Sequence, residues 1–251
     1  MHRIILSTAV LAAILAGLPV AAFSEYKASP VNNPSILAGK VDFKGTVPPP
    51  KVFKIEKNPE YCKNHPDSTP DGNRLLHEVR VNDGGLRDVV VTIEGIESGK
   101  PFTTPRADFK ASHCQFTPYV SVGVKRGPYT VVNEDPIIHN PHLYEMIGGE
   151  RKTLLTLPLP NFQSKIEKTL RIREGDVVKL ECDQHNFMHN WIRIVDNPYY
   201  AKVNDKGEFE IDDIPDGTYK VTAWHPTLGI LEKKITFSGG KQTADFVFTN
   251  Q

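Results

Sequence analysis

The sequence predicts an all-β protein built as a β-sandwich with a second, smaller β-sandwich module. Three observations predict it. Apolar residues alternate with polar ones over short stretches, as on strands with one buried face: Phe116, Val120, Val122 and Val124; Phe209 and Ile211; Phe246 and Phe248. Strong turn sequences separate such stretches: Asp83-Gly84-Gly85, Asn204-Asp205-Lys206-Gly207, Pro215-Asp216-Gly217 and Ser238-Gly239-Gly240. No stretch carries apolar residues at helical spacing, and no glycine-rich phosphate loop or internal repeat is present.

Length and composition set the bounds. The 251 residues allow one large or two small domains, and 39% hydrophobic against 24% charged residues is enough to bury a core. The 30 basic and 30 acidic residues cancel, which argues against nucleic-acid binding and against a basic membrane-binding face. Arg3 precedes a mostly apolar run, 4–17, and Val20-Ala21-Ala22 offers a cleavage site, so 1–22 reads as a secretory signal peptide. The run is shorter than the ~20 apolar residues of a spanning helix. The expectation is a periplasmic or secreted protein with no membrane span after cleavage.

In chain order, 23–35, with Pro30 and Pro34, reads as a linker. A strand follows at 36–43, Gly45 and Pro48-Pro49-Pro50 interrupt it, and extended chain resumes at 52–55. A loop rich in Pro, Asp and Asn, 58–73, carries Cys62 and His65. Strands are expected at 79–81 and 88–93 around a hairpin signal, then at 115–124, 129–132, 166–173, 177–182 and 191–195. The stretches 100–112 and 143–165 read as irregular. Asn197-Pro198 marks a boundary, beyond which short strands alternate with turns and Tyr219, Val221, Ile235 and Phe237 face inward. This gives a domain at 36–196 with an N-terminal β extension and a module at 197–251. The strands at 36–98 could instead cross over to pair with those after 200.

Three cysteines in an exported chain are an odd number that needs a reason. Cys62 and Cys114 lie in polar, loop-like surroundings, whereas Cys182 ends an apolar strand and is followed by His and Met. A Cys62–Cys114 disulfide leaves Cys182 as a metal-bound thiolate. The alternatives pair Cys182 with one of the others or leave it as an inert core thiol.

The string Cys182-Asp183-Gln184-His185-Asn186-Phe187-Met188 places a thiol, an imidazole and a thioether at even spacing between two strands. Copper cycles between Cu(I), which favours soft donors, and Cu(II), which favours nitrogen. Two imidazoles, one thiolate and a weak thioether serve both states. Cys182, His185 and Met188 supply three donors, and His139, upstream and just after an expected strand, is the fourth candidate. No second cysteine lies within 183–189, so one mononuclear copper is expected. His142 and His189 read as surface histidines beside the site, with extra ligation as the alternative. His65 near Cys62 lacks a third ligand, His225 beside Trp224 reads as structural, and Phe187 with Trp191 reads as a docking patch or as core.

With those residues in place, the stretch from about 114 to 195 resembles the cupredoxins, the blue copper proteins that include plastocyanin, azurin and amicyanin. The Cys-x-x-His-x-x-Met loop is most similar to that of amicyanin. The pair His139-Asn140 matches the first-histidine motif, which implies that Asn140 helps hold the loop and the cysteine sulfur. Asn186 stands where small cupredoxins commonly carry proline. The resemblance implies a Greek-key sandwich. More loosely, Gly39-Lys40-Val41 and the stretch from Asp205-Lys206-Gly207 to Trp224-His225-Pro226 resemble a prealbumin-like, carboxypeptidase-regulatory-like module. The expected function is a one-electron carrier rather than an enzyme. It would exchange electrons through an exposed edge of His185 with a periplasmic cytochrome or copper enzyme. The alternatives are copper binding, storage or delivery, in which His142 and His189 would act, and a structural β-sandwich binding module.

Overall fold

The computed structural model describes residues 26–250. The expected signal peptide lies outside the described residues. The chain is all-β apart from one helical turn, Pro59–Cys62. It forms two sandwiches, each with its own core.

The first sandwich carries the Cys182 loop. One of its sheets orders the strands Phe116–Thr117, Ala107–Ala111, Pro128–Asn133 and Lys165–Thr169. The other orders Val120–Gly123, His189–Ile194, Val177–Cys182, Pro141–Ile147 and Glu150–Thr156. Between them Phe109, Phe116, Tyr129, Leu143, Leu180 and Ile192 form a core with exposures of 2% or less.

The second sandwich joins both ends of the described chain. Strand Ser35–Lys44 pairs antiparallel with Glu208–Ile214 and parallel with Gly240–Thr243 and Phe246–Thr249. Strand Val90–Glu94 lies between Tyr200–Lys202 and Gly217–His225. Leu37, Val41, Ile93, Val221, Phe237 and Phe246 fill this core. Of the two arrangements the sequence allowed, the strands of 36–98 on either side of 51–76 therefore take the crossover. They do not extend the sandwich of the Cys182 loop, and the boundaries 36–196 and 197–251 do not describe the pairing. Of 36–98, only 51–76 enters the core of the first sandwich, through Ile55 and Cys62. The first sandwich is thus an insertion within the second. A third apolar cluster, with Val90 and Trp224 from one sandwich and Val120, Val122 and Val195 from the other, joins them.

Several expectations change for local reasons. Residues 26–28 are not free linker: Lys27–Ala28 pairs with Ser98–Gly99, and the Tyr26 hydroxyl donates to the Lys100 carbonyl at 2.6 Å. The stretch 100–112 contains a regular strand, Ala107–Ala111, whose buried positions are partly alanine and so give little periodic signal. The excursion at 143–165 is mostly a hairpin, turning at Gly148 and Gly149, both at positive φ. A register shift between Leu143 and Tyr144 and an outer strand with no buried residue hide its alternation. Phe116 does not share a face with Val120 and Val122: it enters the first core, while they join the contact between sandwiches.

Gly207 shows why the turn after Asn204 needs glycine. Its φ is +77°, its carbonyl accepts from the Val41 N–H at 2.8 Å, and a Cβ there would meet the Val41 carbonyl oxygen at 2.3 Å. His225, fully buried in the second sandwich, accepts through Nδ1 from the N–H groups of Thr227 and Leu228, both at 3.2 Å. Burial holds its pKa down to about 4. Above the ordinary imidazole value of about 6.5 both folded and unfolded chains keep it neutral. As the pH falls from there towards 4, the unfolded chain takes up a proton that the folded one refuses, so stability is lost. In urea unfolding, the stability lost between pH 7 and pH 5 should be about 2 kcal/mol smaller in His225→Gln than in the native chain. Equal losses in the two proteins would remove His225 as the cause.

Candidate metal centre

Three elements bring the donors together. Strand Val177–Cys182 ends at Cys182, and the chain turns sharply because the His185 N–H donates to the Cys182 carbonyl at 3.2 Å and the Met188 N–H to the His185 carbonyl at 3.0 Å. Successive bonds of this three-residue kind place side chains three apart over one another, so the spacing of Cys182 and His185 becomes a convergence, and Met188 follows on the next such bond, buried at 1% exposure. Strand Pro141–Ile147 runs antiparallel beside them, with Pro141 opposite Cys182. This brings in His139, whose backbone is clamped to Leu159 by a reciprocal pair of hydrogen bonds at 3.0 and 2.7 Å.

Both imidazoles point Nδ1 at the Cys182 sulfur, His139 at 3.8 Å and His185 at 3.7 Å. Their Nε2 atoms are held elsewhere. That of His139 donates to the buried carboxylate of Asp135 at 2.8 Å, and that of His185 to Asn58 Oδ1 at 3.2 Å. With the proton on Nε2, the Nδ1 lone pair is free to bind a metal. The Asn140 N–H donates to the sulfur at 3.4 Å, and its side-chain amide donates to Asp183 at 2.8 Å. His139, Cys182, His185 and Met188 are 0%, 4%, 1% and 1% exposed. The donor atoms of His139, Cys182 and His185 lie within 4.8 Å of one another. The set of two borderline nitrogens, a thiol and a buried thioether fits copper.

The electrostatics favour a thiolate. Burial pushes the Cys182 thiol up, but the two Nδ1 atoms beside it, which can take up its proton and donate it back to the sulfur, and the Asn140 N–H outweigh burial and bring the pKa down to about 6. Burial opposes charge on His139, yet Asp135 and Cys182 raise its pKa above the ordinary value. Asp135 is itself buried, but the His139 ring, the Cys114 N–H, the Tyr61 hydroxyl and the His113 N–H hold it down at about 2.

One expectation is corrected. The edge of His185 is not exposed, and Phe187, 4% exposed, forms no docking patch around it. The chain of 51–76 covers them. It is a hairpin of Lys51–Lys54 on Asn73–Leu76 with the Pro59–Cys62 turn at its tip. Lys57 Nζ donates to Gln184 at 2.9 Å, Asn58 caps His185, and the Arg74 guanidinium lies 4.7 Å from the centre of the Phe187 ring. Cys62 and Cys114 form a disulfide that ties this flap down, and Cys182 is the free cysteine among the described residues. His142 stacks on Tyr144 and bonds Asp183 at 3.0 Å; His189 lies edge-on to Phe53. Neither enters the donor cluster. Asn58, Tyr61, Arg74 and Asp135 were not read as site residues from the sequence. Asp135 lies four residues before His139 outside any regular element, so its spacing carries no geometric meaning; the other three come from a distant segment.

A family model described as polysaccharide lyase family 4, domain II, matches residues 183–245. A search of curated proteins finds no match. Among solved structures, a purple cupredoxin from Nitrosopumilus maritimus is similar at 18% identity and a TM-score of 0.30, over 36% of this chain and 99% of that one. An amicyanin from Paracoccus versutus aligns at 11% identity and 0.30, over 42% and 97%. A copper-containing nitrite reductase from Thermus scotoductus aligns at 18% and 0.30, over 39% of this chain and 24% of its own.

If Asp135 sets the orientation of His139, Asp135→Asn should weaken metal binding about 10- to 100-fold. Competition with a coloured chelator measures this, with far-UV circular dichroism as the check on folding. An unchanged affinity in a folded variant would show that Asp135 serves the flap and not the metal.

Proposed function

We propose that this protein is a mononuclear copper protein that carries one electron at a time, outside the cytoplasm. The observation that supports this most directly is the convergence of two Nδ1 atoms on one buried sulfur, with both Nε2 atoms already engaged. Copper bound there would supply a one-electron couple. The residues do the rest. Cys182 and Met188 offer the soft donors that suit the reduced ion, and His139 and His185 the nitrogens that suit the oxidised one. Asp135, Asn58 and the Asn140 N–H fix the side chains of His139, His185 and Cys182, so these donors need not rearrange between states, which keeps the barrier to electron exchange low.

The near-complete burial of all four side chains favours a carrier over a delivery protein. A protein that hands its ion over needs a route for a competing ligand, and the flap of 51–76 stands on the His185 side. The partner would be another redox protein. The disulfide supports an oxidising compartment, and no helix among the described residues is long and apolar enough to cross a membrane.

Loading the protein with Cu(II) should produce an intense thiolate-to-copper absorption band, and Cys182→Ser should abolish it. Protein-film voltammetry should then show a reversible one-electron wave with no loss of copper over repeated cycles. Rapid transfer of Cu(I) to a competing chelator would decide for delivery. A colourless protein that binds zinc equally well would end the carrier reading.

A further inference from the structure

With the His185 edge closed by the flap, an electron-transfer partner has to approach the centre from another side. The chain around the other imidazole comes to the surface. Ile138, the residue before His139, is 39% exposed. The His139 N–H donates to the Leu159 carbonyl at 3.0 Å, and the His139 carbonyl accepts from the Leu159 N–H at 2.7 Å. Pro158 and Pro160, on either side of Leu159, are exposed. Phe162, 58% exposed, is the one exposed aromatic residue among those described. We propose that Ile138, Pro158, Pro160 and Phe162 form the docking face for another redox protein whose own contact face is apolar and uncharged, with the electron passing by way of His139 and not His185. This rests on the carrier reading of the same centre.

One buried side chain holds the face together. Asn133, 0% exposed, donates through Nδ2 to the carbonyls of Ile137 at 2.8 Å and Leu159 at 3.2 Å. Its N–H donates to the Ser164 carbonyl at 2.9 Å, and its carbonyl accepts from the Gln163 N–H at 2.7 Å. The loops 136–139 and 157–164 are thereby bound to one point, and Ile138 and Phe162 each stand one residue from a bond to it. The Ser164 hydroxyl closes the second loop on the Asn161 carbonyl at 2.6 Å. Phe162 is presented by a turn that is already ordered, so little conformational freedom is lost when a partner covers it.

Charge selects the partner. Neither 136–144 nor 153–164 contains an Asp, Glu, Lys or Arg. Asp135, just before, is fully buried. The flanking charges are already paired, Glu134 with Lys110 and Lys165 with Glu167, each at 2.8 Å. An apolar centre with a polar rim is the make-up of a protein–protein contact, and a charged face set against it would lose hydration with nothing to replace it. The flap offers no such surface. Glu56, Lys57, Glu60 and Lys63 are exposed on the chain around Asn58, and Val52, exposed on its hairpin, shares a strand face with Lys54.

A second copy of the chain presents the same uncharged face, so the probe is electron self-exchange between Cu(I)- and Cu(II)-loaded protein, followed by NMR line broadening. Its rate constant should be the same at low and high salt. Phe162→Asp sets like charges against each other. It should slow exchange about tenfold or more at low salt and recover at high salt, with the charge-transfer band and reduction potential of the native protein. Phe162→Lys should behave in the same way, and the two variants mixed should exchange faster than either alone. Lys63→Glu, on the flap, should leave the rate unchanged. Docking is also read without copper: raising the concentration of the metal-free chain should shift the amide signals of Ile138, Asn161 and Phe162, and Phe162→Asp should remove those shifts. The inference is overturned if Phe162→Asp exchanges as fast as the native protein, if Lys63→Glu slows exchange instead, or if concentration moves none of these signals. A native protein with no charge-transfer band or no reversible wave would sink the carrier reading, and the metal-free shifts would then still decide whether this face docks.

Discussion

Two imidazoles aim their Nδ1 atoms at one buried sulfur because their Nε2 atoms are bound to something else. That constraint organises this half of the molecule. His139 is fixed by Asp135, which also receives the Tyr61 hydroxyl and two backbone N–H groups. His185 is fixed by Asn58. A carboxylate this deeply buried is tolerable only because every near neighbour donates to it. The chain that closes over the loop thus also sets the orientation of the donors, and burial and preorganisation come from the same contacts.

The architecture follows from that closure. The flap of 51–76 leaves the second sandwich, reaches across to the first, and returns to the strands at 81–94. Its disulfide, its hydrogen bonds to the ligand loop and the Arg74 contact with Phe187 fasten it there. The first sandwich hangs as an insertion from the second and is steadied by a shared apolar contact. One sandwich supplies the donors, and the other supplies the segment that shuts them from solvent. This joint construction leaves no exposed imidazole edge.

Much of the fold was legible because strands with one buried face write their pattern locally. Val177–Cys182 and Ser35–Lys44 alternate cleanly, as does 208–211, and Gly45 and Gly207 at positive φ mark turns beside the last two. Strands at the edges did not show. Glu150–Thr156 buries no residue and its partner strand shifts register, so the pattern dissolves where a hairpin stands. The disulfide was legible by arithmetic, since three cysteines and one with ligand neighbours leave one natural pair. The pairing of 36–44 with strands nearly two hundred residues away was not, because strand pairing is a non-local choice that period alone does not encode.

The sequence by itself determined the strand content, the turns and a donor string at Cys182, His185 and Met188, because these depend on neighbours a few residues apart. Only the tertiary structure decided which residues turn those donors into a site. Asn58, Tyr61 and Arg74 reach the loop by way of a flap, and Asp135 reaches His139 through a chain segment with no regular repeat. It also decided that His185 is enclosed and has two further sulfurs beside it. The physical reason is that burial and hydrogen-bond partnership are properties of surfaces brought together, and a residue carries no mark of which distant segment will cover it.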